Sequence, residues 1–352
     1  MTSRTRPVGS PVRDLIVAGG GPIGLATALY AARAGLDVSL REPRRGVIDK
    51  ACGEGLMPSA VADLRALDVV LDGHPIEGIR YLDGIRHAEA RFRGGTGLGV
   101  RRTALHGALR ERLMDTAVST SATAVRDITD HGDHVVVDDE PTRWLIGADG
   151  LHSPVRRHLG LGTTPGSPRR YGLRCHAEIA PWTSLVEVHW AESGEAYVTP
   201  VSETVVGVAL LSAARRPFPD LIHAFPELVE RLSGRPLSPA RGAGPLRQSA
   251  RRRVAGRVLL VGDAAGYVDA LTGEGIALGL AQARAAVAAV LDEEPERYES
   301  DWRRLTRSHN LLTRGLLTAT GVPAVRRRIV RSAHRLPWVF DAAVNQLAKP
   351  PG

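Results

Sequence analysis

Apolar positions along the chain follow two periods. Short unbroken runs at residues 15–18, 38–40, 144–146 and 258–261 have the length of buried strands. Longer segments carry apolar residues at helical spacing. These are the alanine-rich stretch 25–34, ended by Gly35, residues 58–67 with Ala60, Val61, Leu64 and Leu67 on one face, and a segment capped by Thr103 with Leu105, Leu109 and Leu113 aligned. Residues 220–232 and the alanine-rich 276–291 complete the expected helices before a helical, strongly basic C-terminal part from Pro295. Residues 122–125 and 134–137 read as strands joined by a turn at His131, Gly132 and Asp133, and residues 73–92 as mixed strand. Between 166 and 212 the character changes. Residues 185–190, 196–199 and 205–211 are rich in β-branched residues and have the spacing of an antiparallel sheet.

Three of the buried strands run into loops with chemistry. After the first, Gly19, Gly21 and Gly24 form G-x-G-x-x-G at the head of a helix, and Glu42 follows the next strand, 23 residues after Gly19. Gly19 permits a tight turn, Gly21 lets backbone approach a pyrophosphate, and Gly24 lets helix and strand pack closely. The helix N-terminus offers unpaired N–H groups to phosphate, and an acid at this distance accepts from a ribose hydroxyl. The stretch 144–156 places Asp149 and Gly150 at the carboxyl end of a strand, where an acid either meets a ligand or caps the next helix, or both. The strand at 258–261 runs into Gly262-Asp263-Ala264-Ala265, and a second glycine turn with Thr272, Gly273, Glu274 and Gly275 opens a helix.

Composition narrows the picture. The chain of 352 residues has a formal charge of +8, carried almost wholly by arginine, with Lys50 and Lys349 the only lysines. The arginines are dispersed without interleaved aromatics, which argues against nucleic acid and for solvated surface plus anionic cofactors. The run Arg326–Arg331 reads as a charged outer face, with a membrane-surface helix as its alternative. Cys52 and Cys175 form neither a disulfide framework nor a metal-ligand cluster. Residues 1–13 read as a disordered lead-in rather than a signal peptide, and no apolar run reaches spanning length, so a reduced, cytoplasmic, soluble protein is expected.

The three loops in this order resemble those of the FAD-dependent family that includes p-hydroxybenzoate hydroxylase-type monooxygenases and geranylgeranyl reductases, over residues 12–290. Gly19, Gly21, Gly24 and Glu42 match the family's ADP-binding start. Residues 147–156 match its D-G motif, used for FAD and the nicotinamide donor. Gly262, Asp263 and Ala264 match its G-D motif at the ribityl chain, and Arg102 matches an arginine that contacts FAD. The resemblance implies an α/β fold: a Rossmann-type FAD-binding domain (12–80, 100–165, 251–291), an inserted antiparallel β-sheet substrate domain (81–99, 166–250) and C-terminal helices (292–352). It places residues 271–275, with Thr272, Gly273, Glu274 and Gly275, beside the flavin. Cys52 is then a candidate redox thiol, or a packing residue.

Arg174, Glu187, His189 and Tyr197 of the β-rich insert are substrate candidates, against the alternative of polar residues on the outer face of a half-exposed sheet. The expected activity is NAD(P)H- and O2-dependent hydroxylation of a phenolic or polyketide-type secondary metabolite, alkylresorcinol-like lipids included. The alternatives are reduction or desaturation of an isoprenoid or polyketide, which the wording of residues 50–55 and 266–275 favours, and a non-catalytic FAD-fold binding protein. Flavin halogenases share the fold, but their W-x-W-x-I-P motif is absent from the sequence. No metal is expected.

Overall fold

A computed structural model describes residues 12–163, 169–321, 325 and 328–351; the lead-in before residue 12 and Arg326 and Arg327 of the basic run lie outside the described residues. The strand Arg13–Ala18 stands at the centre of a sheet, parallel to Val38–Arg41 on one side and to Glu140–Gly147 on the other. Val258–Leu260 extends it in parallel beyond Glu140–Gly147, and Ser119–Ser121 lies outside Val38–Arg41. Helices cover this sheet, so its strands read as unbroken apolar runs. Leu15, Ile16, Val17, Leu145, Ile146, Leu259 and Leu260 are fully buried.

Register decides where the loops meet. Ala18 pairs with Gly147, and Gly147 with Leu260, so three parallel strands end at one level and their loops emerge side by side. Helix Pro22–Arg33 starts directly after the first turn, with Pro22 at its first position. A Cβ on Gly24 would stand 1.7 Å from the Gly19 carbonyl oxygen, and Gly19 has φ +104° with Ala148 pressed against it. Gly21 faces open space.

The second sheet has the order Arg241–Ala243, Tyr171–Ala177, Val205–Ser212, Gly194–Ser202, Leu185–Ala191, Gly78–Leu82, His87–Arg91. All its pairs are antiparallel except Leu185–Ala191 with Gly78–Leu82, which is parallel, so the sheet expected to be antiparallel is mixed. The boundary expected at residue 80 falls inside Gly78–Leu82, which pairs along its whole length within this second sheet.

Two other expectations are corrected. Residues 122–125 form no strand. The backbone N–H groups of Arg126 and Asp127 donate to the Asp138 carboxylate, which holds this segment as a loop, and the hairpin joins Ile128–Asp130 to Val135–Val137. The helix expected at 220–232 is two, Phe218–Ile222 and Pro226–Leu232. Pro226 cannot donate to a preceding turn and pushes Phe225 out of helical geometry.

The long helix Pro295–Gly321 packs on Gly275–Leu291, and Tyr298 at its start donates to the Leu260 carbonyl at 2.9 Å. Ile329–Arg335 and Pro337–Ala348 dock instead on the edge strand of the second sheet. The His334 ring bonds the His87 carbonyl at 2.9 Å, Asn345 donates to the Arg91 carbonyl at 2.9 Å, and Phe340 packs against Tyr81 with ring centroids 4.6 Å apart. No helix among the described residues is long and apolar enough to cross a membrane.

These contacts give different expectations for two neighbouring glycines. Gly24→Ala should cost more than about 3 kcal/mol of stability, beyond ordinary overpacking, because backbone must move. Gly21→Ala, at an extended φ of −69° and in open space, should change it by less than about 1 kcal/mol. Denaturant unfolding of the two variants measures the difference.

Candidate active site

The loops open into one cavity of about 930 Å³ that continues under the second sheet. Its near end is lined by Gly21, Arg44, Arg102, Asp149, Gly150 and Asp263.

Around the first loop, Glu42 accepts from the Gly20 N–H at 2.8 Å and from Arg44 Nε and Nη2 at 2.7 and 2.8 Å. Burial opposes its ionisation, yet the hydrogen bonds from Arg44 and Gly20 outweigh that and hold the carboxyl below its ordinary range. In the second loop, Asp149 Oδ2 accepts from the Val155 N–H at 2.9 Å and so caps the short helix Pro154–His158, whereas Oδ1 is buried without a partner. Arg156 ties the second loop to the third: Nη1 donates to the carbonyls of Asp263 and Ala264 at 3.1 and 2.8 Å, and Nη2 to that of Leu151 at 2.7 Å. Ala264 is buried behind the loop and does not line the cavity.

Two polar groups project into the cavity without partners of their own. Arg102 Nη1 is buried and makes no hydrogen bond, and burial lowers its pKa. Asp263 accepts no side-chain hydrogen bond among the described residues. Burial raises its pKa against the charges of Lys50, Arg102 and Arg156. Lys50 also lines the cavity. Its Nζ stands 3.6 Å from where a Cβ on Gly150 would lie, and burial lowers its pKa. A free guanidinium, a free carboxylate, an unpaired Asp149 oxygen and an open Gly21 at a helix N-terminus suit a ligand with phosphates and hydroxyls.

The loop after Lys50 holds groups that the sequence did not single out. Glu54 is buried at φ +60°. Its carboxylate accepts from the Arg102 N–H at 2.8 Å and lies 2.7 Å from His176 Nε2. Arg174 bonds Asp49, reaches the Lys50 carbonyl at 3.2 Å and His176 Nδ1 at 3.3 Å. Thr199 donates to the Gly53 carbonyl at 2.8 Å. Second-sheet side chains therefore clamp this loop against the cavity. Only its two glycines around an acid signalled this role. Cys52 lines the cavity, and desolvation there pushes its thiol above the ordinary range.

The remaining candidates divide. Tyr197 lines the cavity and donates to the Leu271 carbonyl at 2.9 Å, tying the second sheet to the loop before Gly275–Leu291. Arg174 lines it too, with both Nη atoms engaged as described and Nε buried without a hydrogen-bond partner. Thr272, Gly273 and Gly275 face the cavity, but Glu274 is turned away, hydrogen-bonded to His309 of the long helix; Thr272 stands 3.3 Å from that ring and from Thr313. Glu187 and His189 are corrected as substrate candidates. Strand alternation aims Val186 and Val188 at the cavity and leaves these two on the opposite face. There Glu187 accepts from Arg80 and Trp182, each at 3.0 Å, and lies 3.3 Å from His189. The far wall is aliphatic: Ile76, Ile79, Val186, Val188, Leu211 and Val344. Among the described residues, no group of three or more His, Cys, Asp or Glu could hold a metal.

Fold and site together define an FAD-dependent oxidoreductase. A menaquinone reductase of Mycolicibacterium smegmatis is 33% identical over 340 residues, covering 84% of this chain and 80% of the relative. The ubiquinone hydroxylase UbiL of Rhodospirillum rubrum is 28% identical, covering 79% and 73%. A flavin-dependent brominase of solved structure superposes with a TM-score of 0.81 over 96% of this chain and 94% of that one; at 14% identity this shows the shared fold alone. No family model matches. The chain belongs to the FAD-dependent monooxygenase and geranylgeranyl reductase-like family, with the p-hydroxybenzoate hydroxylase fold.

The half-buried Asp263, without a hydrogen-bond partner among the described residues, gives a pH-dependent expectation. Its folded pKa is raised, so its ionisation destabilises the flavin-free protein. That penalty is absent below the ordinary carboxyl value of about 3.9 and grows as pH rises through the raised folded value. Asp263→Asn should therefore raise the melting temperature of flavin-free protein at pH 7, with the gain vanishing toward about pH 4, while FAD retention falls. Calorimetry of the apo forms across pH measures both the sign and the window.

Proposed function

We propose that the protein is an FAD-dependent reductase that adds two hydrogens to an unsaturated, prenylated quinone-like or phenolic lipid, with NAD(P)H as electron donor. The observation that carries this reading is the division of the cavity. Polar groups with unused hydrogen-bonding atoms gather at the three loops, and beyond them Ile76, Ile79, Val186, Val188, Leu211 and Val344 form an aliphatic wall, beside which Tyr197 is held by the Leu271 carbonyl and Arg174 by Asp49. The residues present fit FAD. Gly19, Gly21 and Gly24 with the helix N-terminus take the diphosphate, Glu42 the adenosine ribose, and Arg102 and Asp263 the polar chain between diphosphate and ring. Asp149 and Gly150 border the same path. FAD, when bound, supplies the two-electron chemistry.

The chain's own residues then position and exclude water. The Gly275 N–H, at the start of helix Gly275–Leu291, offers a positive dipole end to negative charge at the cavity. Tyr197 fixes the loop before it through the Leu271 carbonyl. The aliphatic wall holds the substrate chain and keeps the site dry. The two named relatives act on menaquinone and ubiquinone by their names, which supports a quinone-like head and an apolar tail here. The basic C-terminal helices give such a lipid a route from a membrane surface.

O2-dependent hydroxylation is the second reading, favoured by residues 147–156, whose D-G wording is that of the hydroxylases. Hydroxylation of a phenol profits from a base beside it; Glu187 and His189 face away, whereas Glu54 and His152 line the cavity. Mass spectrometry of the product formed from a prenylated naphthoquinone or an alkylresorcinol, with NADPH, first without and then with air, separates the readings. A gain of two hydrogens without air supports reduction. One added oxygen, formed only in air, supports the hydroxylase. Unchanged substrates under both conditions contradict both.

A further inference from the structure

The last two helices present two different faces. Phe340 and Val344 of Pro337–Ala348 are buried against the second sheet, and Val344 and Leu347 line the cavity. At the opposite end, a single residue, Leu336, separates this helix from Ile329–Arg335. Leu336, Trp338 and Val339 at that corner are 48%, 71% and 42% exposed. Soluble surfaces seldom leave a tryptophan and two aliphatic residues together in water.

The corner is also charged with one sign. Residues 328–340 include Arg328, Arg331, His334 and Arg335 and no acidic residue. Arg328, Arg331 and Arg335 are exposed and have no ion-pair partner among the described residues. The nearest acid along the helix, Asp341, is already paired with Arg93. The arrangement is rigidly mounted, through His334 on the His87 carbonyl and Asn345 on the backbone of Arg91 and Arg93.

We propose that the corner at Leu336–Val339 is a docking element for an anionic lipid surface, at the far end of the helix whose Val344 and Leu347 line the cavity. Trp338 is suited to the interface, where its ring is apolar and its N–H stays wet. The exposed arginines supply attraction to anionic headgroups. The charge selects this occupant: an uncompensated cationic rim around an apolar tip repels a second copy of the same corner and matches a negatively charged bilayer. The substrate class proposed above is what gives this docking its use, and the docking itself requires no turnover.

Flotation of the full-length, FAD-loaded protein with phosphatidylcholine vesicles, with and without phosphatidylglycerol, tests the element. Binding should require phosphatidylglycerol and weaken as salt rises. Trp338→Ser should reduce the bound fraction at least tenfold, and Arg331→Gln and Arg335→Gln roughly fivefold each. All three residues are exposed, so the thermal unfolding of the variants should match the parent. No binding to anionic vesicles at low salt, or binding that the three substitutions leave unchanged, overturns the proposal. So does a concentration-dependent dimer abolished by Trp338→Ser, which would make the corner a contact between copies. Vesicle binding without reduction or hydroxylation of any lipid would overturn the functional reading and leave the docking element standing.

Discussion

The close approach of the first turn to the end of strand Glu140–Gly147 is the constraint on which the rest depends. Gly19 and Gly24 have no room for a side chain because Ala148 and the Gly19 carbonyl occupy it. That contact fixes the helix N-terminus against the sheet and sets the parallel strands to end at one level. Without it the three loops would not share a cavity. Arg156 then locks the second and third loops together through three carbonyls, so polar surface for a dinucleotide is assembled from fully tied backbone.

Against that rigid polar end stands a wall built by another sheet. Glu54, His176 and Arg174, with the half-buried Asp49, form a hydrogen-bonded network between the loop at residues 49–55 and the second sheet. Buried pairs of this sort add little net stability but specify one arrangement, since a broken partner leaves a charge in low dielectric. The loop's position, and with it the boundary between the polar and aliphatic halves of the cavity, follows from this network. Pro337–Ala348 closes the aliphatic half from outside the sheet.

The first sheet and its three loops were legible because each requirement is local: an apolar run, glycines at fixed offsets, an acid after the second strand. The substrate sheet was legible as β structure but not in its facing. Period-2 alternation groups Glu187 with His189 and Val186 with Val188, and either pair satisfies it. The parallel neighbour Gly78–Leu82, distant in sequence, and the domain beyond decide which pair looks inward. Glu274 was misplaced for a similar reason, since His309, its partner, lies 35 residues away on another helix. The network at Glu54 joins residues more than 120 positions apart and leaves no local signal beyond Gly53 and Gly55. Pro226, in contrast, announced the helix break that the apolar period concealed.

A single FAD site built from these three loops is tested by titration of the purified, flavin-free chain with FAD, followed by flavin fluorescence and absorbance. Saturation is expected at one FAD per chain, with an ordered, shifted flavin band and an affinity that falls when Arg102 is replaced by alanine. A folded chain that takes up no FAD, or takes it up equally well without the Arg102 guanidinium, would contradict it.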